Sequence, residues 1–159
     1  MQDLFALATE VGARLKERGE TIAVAESSSG GLISAALLSV PGASAYYLGG
    51  AVVYTAKARM KLMEIPREQV AGMRSASEPY AQLLADTVRT RFGASWGISE
   101  TGAAGPTGNP YGDAPGHTCI AIAGAQSRAI TLETASPDRA ENMRAFSRAA
   151  LELLLQNLD

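Results

Sequence analysis

Cysteine is nearly absent from this sequence. Cys119 is the sole copy in 159 residues, which excludes an intramolecular disulfide framework and any cysteine-rich zinc site and suits a reducing, cytoplasmic setting. Long apolar runs are missing too: the longest, Leu32–Val40 and Cys119–Ala125, fall far short of the roughly 20 residues of a membrane helix, so no membrane partner is expected. Met1–Glu10 carries Asp3 and Glu10 and no basic start, which reads as part of the fold and not as a leader peptide. Neither sign of charge prevails, with 14 Lys+Arg against 16 Asp+Glu for a net of −2. No face is obliged to be strongly basic, and nucleic acid is not an expected partner. What the chain does have is apolar residues, 47% against 19% charged, enough to bury a core and to exclude disorder. The length fits one domain over residues 1–159.

Leu4, Leu7, Ala8, Val11 and Leu15 recur at three- and four-residue steps, which predicts an amphipathic helix ending near Gly19. Thr21–Ala25 then reads as a buried strand, and a helix after Gly31 would turn Leu32, Ala35, Ala36 and Leu38 inward before Pro41-Gly42 ends it. Gly49–Tyr54 reads as a second strand, and in the following helix Ala56, Met60 and Met63 share a face. Ser77 caps a helix running to about Phe92. Ser95–Glu100, Thr118–Ala123 and Arg128–Glu133 read as strands, the last two joined by a hairpin, and a helix capped by Ser136 buries Met143, Phe146, Ala150 and Leu154. Strands alternating with helices, then a hairpin and a helix, predict an α/β fold: a three-layer α/β/α sandwich on a mixed sheet. Tyr46, Tyr47 and Leu48 could remain exposed as a small apolar patch suited to a homo-oligomer contact, or belong to the core.

Two loops stand at the carboxyl ends of predicted strands, where α/β folds bind ligands. Glu26-Ser27-Ser28-Ser29-Gly30-Gly31 joins a strand to a helix whose first N–H groups lack intrahelical partners. Three hydroxyls and two glycines there suit a phosphate or a carboxamide oxygen; an ordinary helix cap would need one hydroxyl. Thr101–Gly108 follows Ser95–Glu100 in the same way and opens the irregular stretch Gly102–Gly116, long enough to suggest function. Neither loop matches the phosphate loop of ATPases or the dinucleotide fingerprint.

ESSSGG after a strand, GGAVVYT before a helix, SASE, and ISETGAAGP, in that order, resemble the CinA C-terminal domain family from about Leu4 to Leu155. The resemblance implies a three-layer α/β domain and hydrolysis of nicotinamide mononucleotide to nicotinic acid mononucleotide and ammonia, in a family whose name carries competence and DNA damage. It places the nucleophile on Ser27, with Tyr54 and Thr101 assisting, and a phosphate-binding Arg on Arg139. Glu26, Ser29, Gly30, Gly31, Gly102 and Gly105 complete the expected substrate contacts, with the Gly30 and Gly31 amides as oxyanion donors. No cofactor and no metal is assigned, although Glu26 and Glu100 could flank a hydrated magnesium ion near a phosphate. A small-molecule nucleotide is the expected partner.

The chain departs from the family pattern at the base. Aligning Y-[ST]-x-x-A-K on Tyr54–Arg59 puts Arg59 where members carry Lys. Lys can act as a base when desolvated; Arg stays charged and only donates hydrogen bonds. With Ala56, Met60 and Met63 inward, Lys57 is the substitute base and Arg59 a phosphate ligand. A Ser-His-Asp triad would have to use His117 with Ser27 and Asp113, against the plainer reading of His117 as a polar residue at a strand edge. Two functions stand: a serine amidohydrolase acting on nicotinamide mononucleotide, and a nucleotide-binding module that lacks amidase activity because Arg59 replaces the lysine.

Overall fold

The strands carry bulky side chains on one face and small ones on the other, and this asymmetry sets the architecture. The computed structural model describes residues 1–159. In chain order it contains α1 (Gln2–Arg18), β1 (Ile22–Glu26), α2 (Leu32–Leu38), β2 (Tyr47–Val52), α3 (Ala56–Met63), α4 (Glu78–Phe92), β3 (Trp96–Ala103), β4 (His117–Ala123), β5 (Arg128–Glu133) and α5 (Arg139–Gln156). The sheet order is β2-β1-β3-β4-β5, with β1 parallel to both neighbours and β3-β4-β5 antiparallel. Because successive strand side chains alternate, Ile22, Val24, Trp96, Ile98, Ile120 and Ile122 join α1, α2 and α5 in one core. Ala23, Ala25, Cys119, Ala121 and Ala123 meet α4 on the opposite face. The result is the expected three-layer sandwich on a mixed sheet.

Small side chains let α4 lie close to the strands. A Cβ at Gly97 would sit 2.1 Å from the Ala85 carbonyl oxygen, and Ser99 Oγ donates to the Ala81 carbonyl at 2.5 Å. The α4 cap is the expected one, Ser77 accepting from the Tyr80 amide, and Gly19 ends α1 in the left-handed region at φ 64°. No helix is long and apolar enough to cross a membrane.

Several local expectations are corrected. α2 buries Ile33, Ala36 and Leu37, while Ala35 is exposed and Leu38 is 54% exposed; a helix of 7 residues is too short for periodicity to fix its phase. β2 spans Tyr47–Val52, not Gly49–Tyr54, because β1 turns away after Glu26 and leaves Tyr54 without a strand partner. In α3 only Met63 is buried, and Ala56 and Met60 face solvent. Taking about 100° per residue, the inner face lies between Met63 and Arg59, turned away from Lys57. Asp138, not Ser136, caps α5 by accepting from the Glu141 amide. Of the proposed apolar patch, Tyr46 is fully buried, donating to the Leu37 carbonyl at 2.5 Å, Tyr47 is half-buried, and only Leu48 is exposed.

Gly97→Ala is expected to lower the unfolding free energy by about 1–3 kcal/mol, since α4 must move off the sheet to admit one methyl group. Urea denaturation followed by far-ultraviolet circular dichroism checks this; an unchanged midpoint would contradict the close α4 contact.

Candidate functional site

Strand register assembles the site. Ala25 pairs with Ser99 on one side and Ala51 on the other, so the parallel strands bring Ser27, Thr101 and the Val53–Tyr54 step to one edge of the sheet. β1 is central there: the chain leaves it through α2 toward β2 and returns through α3 and α4 to β3, with α2 and α4 on opposite faces. A crevice at such a reversal is the usual ligand position in open α/β sheets. The two loops singled out in the sequence therefore share one rim.

Two fully buried carboxylates, Glu26 and Glu100, hold the serine loop. Glu26 Oε1 accepts from Ser29 Oγ at 2.8 Å, from the Gly31 amide at 3.1 Å and from the Ile33 amide at 2.9 Å, and Oε2 accepts from the Ser34 amide at 2.9 Å. It thereby satisfies the open N–H groups at the start of α2. Glu100 Oε2 accepts from the amides of Ser27 (3.2 Å) and Ser29 (2.7 Å), and Oε1 accepts from Ser28 Oγ (2.5 Å) and Thr118 Oγ1 (2.7 Å). Every carboxylate oxygen is engaged, so these glutamates organise the loop from inside and do not present their oxygens to a ligand at the rim.

This network gives Glu26 and Ser29 an internal role and takes the Gly30 and Gly31 amides away from the expected oxyanion role. Glu26 and Ser29 are sealed inside. The Gly30 amide donates to the Ser27 carbonyl and the Gly31 amide to Glu26, so neither is free for an oxyanion. The glycines serve backbone shape instead, at φ 68° and 100°. The Ser28 amide, by contrast, donates to no group of the protein. Ser27 Oγ likewise has no protein partner.

A cavity of about 370 Å³ opens at Ser27, walled by Tyr54, Arg59, Thr101, Gly102 and Tyr111 among others. A second, of about 250 Å³, adjoins it through Tyr54, Gly102, Asn109 and Pro110 and continues past Ser28 and Gly105 to Arg139. Thr101 Oγ1 accepts from the Ala76 amide at 3.1 Å, leaving its own proton to be donated elsewhere. Arg139 is exposed and donates to the Gly105 carbonyl at 2.6 Å and to Tyr54 Oη at 3.3 Å. Lys57 is exposed and lines neither cavity. It is Arg59 that reaches the space beside Ser27, as the rotated face of α3 requires.

The outer wall was not legible as a site. Arg74 pairs with Asp113 through two hydrogen bonds, of 2.6 and 3.2 Å, and lies 5.6 Å from the centre of the Tyr111 ring. Ser75 Oγ donates to Tyr111 Oη at 3.3 Å. These contacts join residues 73–77 to residues 109–113, both of which face the first cavity. The only signal in the sequence was the length of the loop.

His117 stands behind this wall and not beside Ser27, which removes the triad. Its Nε2 lies 2.8 Å from the Ala76 carbonyl and 3.5 Å from Asp113, and its Nδ1 2.5 Å from Glu133. Burial pushes its pKa down, but the Ala76 carbonyl, Glu133 and Asp113 outweigh burial and the net shift is upward. Asp113 moves the other way, held down chiefly by Arg74. Burial raises the Cys119 thiol and leaves it inert.

The family model of the CinA C-terminal domain matches residues 4–158. A CinA-like protein of Synechococcus is 35% identical over 98% of this chain and 39% of its own length, and one of Cytophaga hutchinsonii is 38% identical over 98% and 37%. The chain thus spans less than two fifths of these relatives. The crystal structure of a competence-damaged protein (CinA) superfamily protein from Klebsiella pneumoniae matches with a TM-score of 0.91 at 27% identity, covering 98% of this chain and 97% of that one. The corresponding Escherichia coli structure gives 0.90 at 26%, covering 97% and 90%.

Glu100→Gln is expected to destabilise the protein by about 1.5–3 kcal/mol, because an amide nitrogen then faces donors; thermal and urea unfolding check this, and an unperturbed protein would contradict the network. A pH effect follows from His117. Its folded pKa lies above the ordinary 6.5, so its contribution is complete below that value and is lost as pH rises through the folded pKa. Melting temperature should fall over that rise in wild type and stay flatter in His117→Gln, and identical profiles would contradict the assignment.

Proposed function

Because this chain belongs to the CinA C-terminal domain family, we propose that it hydrolyses nicotinamide mononucleotide to nicotinic acid mononucleotide and ammonia, with Ser27 as nucleophile. The observation that carries this reading is the partnerless Ser27 hydroxyl on a cavity that also presents Thr101 and Tyr54. The adjoining cavity ends at Arg139, where a guanidinium suits the substrate phosphate. The carboxamide then lies toward Ser27, within reach of the Thr101 hydroxyl. The unpaired Ser28 amide takes the place of the glycine amides as oxyanion donor.

Ser27 Oγ bonds to the amide carbon and forms a tetrahedral oxyanion. No His, Lys, Asp or Glu lines the cavity, so the serine proton reaches the amide nitrogen through hydroxyls or water, with Tyr54 Oη as the relay. The C–N bond breaks, ammonia leaves, and water cleaves the acyl-serine to give the carboxylate and restore Ser27.

A second reading rests on the same lack of a base: a module that binds the nucleotide and turns it over little or not at all. In the amidase, Ser27→Ala lowers ammonia release about a thousandfold or more while nucleotide binding persists. Undiminished release in that variant would remove the assignment. Full wild-type turnover excludes the binding module, whereas ammonia release that arises only in Arg59→Lys establishes it.

A further inference from the structure

The first cavity is a cationic pocket without a counter-ion. Arg59 is the only formally charged residue among those that line it. Its guanidinium enters no salt bridge and no hydrogen bond, and its Nε is the one buried side-chain nitrogen or oxygen in the chain with no partner. The orientation is built in: Thr55 and Ala56 open α3 on the same cavity, Thr55 Oγ1 accepts from the Ala58 amide, and the helix inner face turns Arg59 in behind them. The Ala56 and Lys57 amides donate to no protein group, so the partial positive charge of the helix start adds to that of the guanidinium. Tyr54, Tyr80 and Tyr111 line the same cavity.

An always-charged group in such a space does not treat an amide and an acid alike. A carboxamide offers it one neutral oxygen and presents N–H hydrogens that repel it. A carboxylate offers two anionic oxygens to a planar fork of donors. We propose that Arg59 makes the cavity beside Ser27 selective for an aromatic ring bearing a carboxylate, so that this chain binds the deamidated ligand more tightly than the amide. In the nucleotide this rests on the reading above, which places the ring end of the ligand at Ser27 and its phosphate at Arg139. The consequence is a ligand held at both anionic ends, and a product that slows turnover as it accumulates.

Titration calorimetry with two ligand pairs, with Arg59 intact or replaced, tests the inference: nicotinic acid mononucleotide against nicotinamide mononucleotide, titrated into protein that also carries Ser27→Ala so that the amide is not consumed, and nicotinate against nicotinamide, which lack the phosphate. With Arg59 intact, each acid should bind about tenfold or more tightly than its amide. Arg59→Gln should bring the ratio close to one, and Arg59→Lys should keep part of it. A ratio near one with Arg59 intact, or an unchanged preference in Arg59→Gln, overturns the inference; the pairs with Arg59 intact alone decide it should an Arg59 variant fail to fold. Arg59-dependent binding of nicotinate with no binding of either mononucleotide upholds the carboxylate pocket and removes the nucleotide reading. Failure of every carboxylate to bind overturns the inference, and it removes the nucleotide reading as well only if nicotinamide mononucleotide also fails to bind.

Discussion

Burying two carboxylates side by side at the ends of β1 and β3 is the constraint on which the site depends. Such groups are costly inside a protein unless every acceptor oxygen finds a donor. Glu26 and Glu100 are 0% exposed, and the donors they require come mainly from one short segment, Ser27–Ser34. The serine loop is shaped by that demand. Ser28 and Ser29 spend their hydroxyls on the carboxylates, and Ser27 is left with its amide bound and its hydroxyl free. A loop rich in hydroxyls thus displays one of them and uses the others as fasteners.

The sheet supplies the platform. Its small-residue face brings α4 against β3 and β4, and residues 73–77, which lead into α4, form the outer wall of the cavity. The Ala76 peptide connects three parts of that wall: its amide donates to Thr101, and its carbonyl lies against His117 and is approached by Cys119 Sγ at 3.5 Å. Ala76 sits at φ 54°, a conformation costly for a residue with a Cβ, and these contacts hold it there. The single histidine and the single cysteine of the chain support the wall from behind and line neither cavity.

Layers and most strands were legible in the sequence because periodicity and Gly/Pro punctuation are strong in long elements. The meeting of the two loops could be expected from strand ends alone. The roles within the loops could not. A glutamate at a strand end reads equally as metal ligand, substrate ligand or internal fastener, and only the β1–β3 register shows that Glu100 faces the Ser27 and Ser29 amides. Lys57 and Arg59 exchanged places for a similar reason: with only 8 residues, α3 has too few apolar positions to fix its phase, and Met63 alone decides it. Tyr111 carried no signal beyond membership in a long loop, since its place depends on an Arg74–Asp113 pair spanning 39 positions.

In the reaction proposed here the free hydroxyl of Ser27 bonds to the amide carbon and leaves an acyl-enzyme. Quenching the reaction with nicotinamide mononucleotide in acid during turnover and mapping the protein by peptide mass spectrometry detects that species. An acyl-nucleotide adduct on the peptide containing Ser27, in step with ammonia release, is the predicted result. Ammonia release with the adduct on another residue, or with no adduct at any time in turnover, would contradict it.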